Sequence, residues 1–172
     1  MIFFFHHCIY IFLFSSESPI KHYKHYSVAR AYQGDTFFWG LVPQAGDAIT
    51  ISFEVFSLYI WGFPLNWFWI FQPPVPLASY RFVSGNAEHP SDRFFNTTCE
   101  ILPEDTQKAA SITKQPPLKD GFLIVGGFDH FGIAEGTLGP EIGPIKKFRL
   151  SIHASSENWA ILSELFLKKV SW

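Results

Sequence analysis

Tyr80–Ile101 reads YRFVSGNAEHPSDRFFNTTCEI, two apolar, aromatic-rich runs held apart by a polar break. Tyr80 and Phe82 alternate as in a strand, and Phe94 and Phe95 carry the same β-propensity and suit a core face. Ser84, Gly85 and Asn86 are turn formers, and Pro90 cannot donate to a strand ladder. The break gathers Asn86, Glu88, His89, Ser91 and Asp92 into one loop between two strands. Such a loop suits a polar ligand such as a sugar, and it equally suits the solvated tip of a hairpin. Pro90 should hold Asp92 in a fixed turn, which makes Asp92 the first candidate acceptor for a sugar hydroxyl, with Glu88 the second. Asn86 and His89 supply donors, and Trp39 or Trp159 could cover the apolar face of a sugar. Asn96–Thr97–Thr98 is an N-glycosylation sequon, so Asn96 is a candidate modification site.

Working outward, Ile49, Ile51 and Phe53 alternate with Thr50, Ser52 and Glu54 after a Gly46–Asp47 turn, the period of a half-buried strand. Further strands are expected at Phe95–Leu102, Phe122–Val125 and Phe148–His153. Trp159–Val170 suits a closing strand or a helix. Pro103–Asp120 reads as a long exposed connection, and Gly126–Gly127, Gly132–Gly136 and Gly139–Gly143 read as turns. Lys21–Tyr32, KHYKHYSVARAY, reads as a solvated strand or lead-in. The pattern as a whole is all-β, a two-sheet jelly-roll sandwich.

Two stretches stand apart. Met1–Phe14 is apolar but short for a membrane span, and it lacks the basic start of a signal peptide although it resembles its apolar region. Val55–Phe71 carries no charge, yet Gly62, Pro64 and Asn66 argue against a membrane helix. It is expected to be a protruding or ill-ordered hairpin extension, not part of the core sheets.

The 172 residues suffice for one domain with a real core. A net charge of -2 gives no case for nucleic acid. Two cysteines make no disulfide framework, and Cys99 reads as a small buried strand residue. His6–His7–Cys8 has no second ligand pair at metal spacing. There is no nucleophile elbow, phosphate loop or zinc-protease motif. No D-x-D is present of the kind that nucleotide-sugar transferases use for a divalent cation. Glu88 and Asp92 share one loop, a poor way to set two carboxylates across a glycosidic bond, so no catalytic residue is assigned.

Five stretches in order carry a resemblance: KHYKHYSVARAY, DTFFWGLVPQAGDAITISF, YRFVSGNAEHPSDRFFNTTCEILP, DGFLIVGGFDHFGIAEG and FRLSIHASSENWAILSELFLKKV. Together they resemble the C-terminal domain of the α-1,3-mannosyl-glycoprotein 4-β-N-acetylglucosaminyltransferases. The most specific piece is SGNxEHPxD followed by NTT. The resemblance implies a lectin-like sandwich of galactose-binding or discoidin type over residues 20–172, recognising N-glycans that end in GlcNAc. It implies a Golgi-lumen protein of N-glycan branching, or a secreted one if the leader is a signal peptide. Transfer from UDP-GlcNAc with a divalent cation, and membrane association, would belong to family regions outside this domain. The alternative is a transferase in its own right. Residues 1–19 and 55–71 have no counterpart in the family pattern and are read as a leader and an insertion, both translated from intron sequence.

Overall fold

The computed structural model describes residues 2–5, 8–32, 37–59, 69–71 and 74–170. Its strands are β1 (Ile2–Phe5), β2 (Cys8–Glu17), β3 (Phe38–Gly40), β4 (Ala48–Tyr59), β5 (Trp69–Phe71), β6 (Leu77–Ser84), β7 (Thr97–Pro103), β8 (Leu123–Gly127), β9 (Ile133–Thr137), β10 (Ile145–Ile152) and β11 (Ala160–Lys169). One α-helix, α1 (Thr106–Thr113), is present among the described residues. The strands form two antiparallel sheets. Sheet A runs β1-β2-β4-β10-β7-β8, with β5 also on β4, and sheet B runs β3-β11-β6-β9. This is an all-β sandwich.

The alternating residues build the core. Ile49, Ile51 and Phe53 of β4, Cys99 and Ile101 of β7, and Phe148 and Leu150 of β10 face Phe38, Tyr80, Phe82, Ala160 and Leu162 of sheet B in one buried cluster. Phe148 is the meeting point, its ring centroid 5.1 Å from Tyr80 and 5.0 Å from Phe82. Tyr80 reaches across the sandwich, and its hydroxyl donates to Val125 O in sheet A at 2.9 Å. Gly126 and Gly136 make room for it: a Cβ at Gly126 would meet the hydroxyl at 2.4 Å, and one at Gly136 would meet the ring at 2.8 Å. Cys99 is buried and free, and burial, then the Glu100 charge, pushes its thiol up to about 12, so it is an inert core residue.

The YRFVSGNAEHPSDRFFNTTCEI stretch is not a hairpin. β6 lies in sheet B and β7 in sheet A, so residues 85–96 arch from one sheet to the other. At the start of the arch Gly85 takes φ 79, a conformation that costs glycine least. The two phenylalanines divide at its end: Phe94 is buried against Phe128, with ring centroids 5.6 Å apart, whereas Phe95 is exposed. Both precede β7, which begins at Thr97, and the last turn of the arch sends them to opposite sides.

Four further expectations are corrected. Val55–Phe71 does not stand outside the sheets where it is described. β4 continues to Tyr59 with β2 along it, and β5 takes the edge that β10 leaves, pairing Val55 with Phe71. Residues 60–68 lie outside the described residues. Gly126–Gly127 and Gly132–Gly136 are not simply turns, since β8 includes the first pair and β9 spans Ile133–Thr137. Gly126 and Gly136 clear Tyr80, Gly127 lies against Thr97 O, and Gly132, at φ 80, does turn the chain before β9. The connection after Pro103 holds α1, whose Asp105 side chain accepts from Lys108 N at 2.9 Å as an N-cap and whose Ala109 is buried. Lys21–Tyr32 is neither a strand nor a simple lead-in. It runs antiparallel beside β3 through a His22–Gly40 bridge and then forms a 3-10 turn at Val28–Tyr32. The open choice at the end of the chain is resolved as a strand, β11, which pairs with both β3 and β6.

Candidate functional site

β3 places Trp39 between two inward residues, Phe38 and Gly40, so its indole faces outward from sheet B. Ile161 of β11 lies directly across from it. Alternation sends Ile161 outward too, yet it is fully buried. The arch covers it: Ile161 N donates to Asp92 O at 2.9 Å, and Ile161 O accepts from Gly85 N at 2.9 Å and from the Ser84 hydroxyl at 2.9 Å. Ser84 is buried and also accepts from Phe94 N at 2.7 Å. One hydroxyl thus fastens both feet of the arch to β11. Arg93 ties its flank to the next loop by donating to His130 O at 3.0 Å.

On the other side of Trp39 runs the segment from Lys21. Tyr23 N donates to Trp39 O at 2.9 Å and Trp39 N to Tyr26 O at 3.0 Å, which hangs both tyrosines beside the indole. The ring centroids of Tyr23, Trp159 and His89 lie 5.2, 5.0 and 4.8 Å from that of Trp39, the first two edge-on. Tyr26 stacks on Phe37 at 4.9 Å. The Lys24 ammonium lies 4.8 Å from the centroid of the Tyr23 ring, and that tyrosine raises its pKa. Trp39 Nε1 is buried without a hydrogen-bond partner.

The arch brings two of its polar side chains to this aromatic group. His89 leans on Trp39 with the ring planes 46° apart, and its Nδ1 is 3.9 Å from Asp92 Oδ2, too long for a direct hydrogen bond. The Asp92 side chain is only 15% exposed, and the Ser91 hydroxyl donates to its Oδ1 at 3.4 Å, which leaves the carboxylate with spare acceptor capacity. Asn86 serves the loop itself, since its Oδ1 accepts from Glu88 N at 3.0 Å and His89 N at 2.7 Å. Its amide nitrogen is the group it can offer outward. Glu88 is exposed at the tip. Asn96 is exposed at the far foot with φ 44. Tyr23 and Tyr26 belong to the site although spacing alone does not mark them. The aromatic interleaving of KHYKHY was the available signal, but only the bridge to β3 shows which indole the rings flank.

The arrangement is a partly exposed aromatic surface with a shielded carboxylate and an imidazole at its rim. That combination can hold an amphipathic ring with hydroxyls on its edge. Comparison with known proteins adds the lineage. The model of the MGAT4 C-terminal domain matches residues 15–60 and 67–164. The chain belongs to this family. The match of the MGAT4 C-terminal domain begins inside the stretch read as a leader and enters Val55–Phe71 from both ends. The chain is 38% identical over 157 residues to α-1,3-mannosyl-glycoprotein 4-β-N-acetylglucosaminyltransferase A of Rattus norvegicus, covering 90% of this chain and 26% of that protein. It is 40% identical over 162 residues to the B enzyme of Mus musculus, covering 89% and 26%. The B enzyme of Danio rerio is 39% identical over 161 residues, covering 88% and 26%. The chain therefore spans about a quarter of the length of the curated relatives it matches.

Proposed function

We propose that this MGAT4 C-terminal domain is a carbohydrate-binding module for N-glycans that end in GlcNAc, working in the Golgi lumen in N-glycan branching. The observation that carries the reading is the Trp39 surface with His89 and Asp92 at its rim. Trp39 and Trp159 offer the apolar face, Asp92 accepts sugar hydroxyls, and the amide of Asn86 donates to the ring substituents. Glu88, exposed beside them, is the acceptor for a second sugar residue. GlcNAc transfer is what the relatives' names state. In this reading UDP-GlcNAc and a divalent cation serve regions of the family protein beyond this domain. Among the described residues no three His, Cys, Asp or Glu side chains are grouped to hold an ion.

The test is calorimetric titration with a GlcNAc-ended N-glycan. Asp92→Ala is expected to weaken binding by about 1.5–3 kcal/mol, the range for losing a hydrogen bond to a charged group, with the fold intact. Trp39→Ala is expected to abolish binding. Unchanged affinity in a folded Asp92→Ala protein moves the site off the arch.

A further inference from the structure

The outer face of sheet A carries a hollow of about 390 Å³ where β4 begins and β10 ends. Asp47, Leu118, Arg149, Ser151 and His153 line it, with Glu100 beneath. Its origin is local. Across the central strands, Ser151 of β10 pairs with Ala48 of β4 and Thr98 of β7, a row of short side chains. The next row holds Arg149, with Thr50 on one side and Glu100 on the other. Arg149 donates to Glu100 Oε2 at 2.6 Å and to Asp120 Oδ2 at 2.5 Å, and its guanidinium lies 3.7 Å from the centroid of the Phe122 ring. That clamp holds the Leu118–Phe122 segment over the sheet, and the short row beside it stays open.

The wall chemistry limits what fits. Glu100 is 1% exposed. The carboxylates of Glu100, Asp120 and Asp47 outnumber the Arg149 guanidinium, which disfavours an anion. His153 Nε2 lies 2.8 Å from the Thr98 hydroxyl, so the ring turns only Nδ1 to the hollow. With the Ser151 hydroxyl and the second Asp47 oxygen it makes a small set of mixed donors and acceptors, as a neutral polyol requires. Asp47 Oδ2 accepts from Gln44 N at 2.8 Å, so the turn is fixed before a ligand arrives. A charge pair this buried is weak evidence for stability, since apolar packing can replace it without loss. The volume lies within the range of small-ligand sites.

The hollow lies on the outer face of sheet A and Trp39 on that of sheet B, and the edge of the sandwich forms the ridge between them. It is built of two loops joined by hydrogen bonds: Ala45 N to the Ser155 hydroxyl at 3.0 Å, Ser156 N to Pro43 O at 2.9 Å, and Gly46 N to Ile152 O at 2.8 Å. His153 begins one side of the ridge and Trp159 ends it on the other. We propose that the hollow is a second saccharide subsite, so that the domain grips two arms of one branched glycan across the ridge. This rests on the carbohydrate reading of the Trp39 site. Two linked contacts raise affinity without any new contact at either one.

The test uses the full chain, calorimetry, and amide and indole NMR signals with two ligands: a methyl glycoside of GlcNAc and a branched oligosaccharide with two terminal GlcNAc residues. The wild-type protein is expected to bind the branched ligand at least about tenfold more tightly. Ser151→Trp, which plugs the hollow, and His153→Ala, which trims it without adding bulk, are each expected to remove that advantage and to leave glycoside affinity unchanged. The Ser151 and His153 amide signals should move with the branched ligand at concentrations at which the glycoside fills only the Trp39 site. Equal wild-type affinity for the two ligands, or an advantage that survives both folded variants, overturns the subsite and leaves the Trp39 site standing. Failure to bind either ligand removes the carbohydrate reading and the subsite together. Shifts at Ser151 and His153 caused by a lysine-rich peptide and not by saccharide would assign the hollow to a cation and overturn the proposal.

Discussion

Ser84→Ala tests whether the arch is fastened as described. The hydroxyl is buried, donates to Ile161 O at 2.9 Å and accepts from Phe94 N at 2.7 Å. Its loss falls unequally on its two partners. Ile161 O keeps the Gly85 N–H at 2.9 Å, so that side costs little. Phe94 N–H loses its acceptor inside the protein, and a buried unpaired donor costs about 1–3 kcal/mol. With the lost donation to Ile161 added, the expected destabilisation is about 2 kcal/mol, or roughly 4–8 °C in Tm for a chain of this size. Urea unfolding measures it as a shift in midpoint at constant slope. Ser91→Ala, which removes only an exposed 3.4 Å contact to Asp92, is the control and should change stability by less than about 0.5 kcal/mol. A Ser84→Ala protein within about 0.5 kcal/mol of wild type would mean that the arch is held by something other than this hydroxyl.

Two further outcomes are expected. Hydrogen bonding to Arg149 holds the Asp120 carboxyl below its ordinary value of 3.8. Because the folded value is the lower one, the pair favours the folded state above about pH 4 and loses that contribution as pH falls further. Asp120→Asn should therefore flatten the fall in urea midpoint below about pH 4, and an unchanged fall would remove Asp120 from the acid response. Asn96 is exposed and in the left-handed region, at the rim of the arch. In a chain expressed into the secretory pathway, glycosidase treatment should increase its gel mobility by one glycan, and no shift in a chain shown to be lumenal rejects the modification.

The strands were legible where one face is buried and the other is not, because that contrast writes a period of two into the residues. Ile49–Phe53 and Phe148–Ile152 are of that kind, and both are central in sheet A. β8 and β9 were hidden by their glycines, two of which, Gly126 and Gly136, make room for a tyrosine more than forty residues earlier. α1 was hidden because it offers one buried residue, Ala109, and so no apolar stripe; the Asp105 cap was its signal. The polar loop was legible as a cluster of side chains but not as a crossover. Nothing in SGNAEHPSD says that its two flanking strands belong to different sheets. For the same reason the sequence could nominate Trp39 and Asp92 separately, while their common position depends on Ile161, a core-type residue that presents no chemistry of its own.

Tyr80, Gly126 and Gly136 also bear on how this sequence can drift. The three positions are not independent letters. At Gly126 the atom in the way of a Cβ is the phenolic oxygen, at 2.4 Å, while the ring carbon behind it is 3.6 Å off. At Gly136 the ring carbons themselves stand at 2.8 Å. A change from Tyr80 to Phe would therefore open the first position to alanine and leave the second closed. Only a much smaller residue at 80 would open both, and it would hollow the centre of the sandwich beside Phe82 and Phe148. One hydroxyl thus sets the order in which substitutions can accumulate across two sheets, with position 80 changing before position 126 and position 136 remaining glycine.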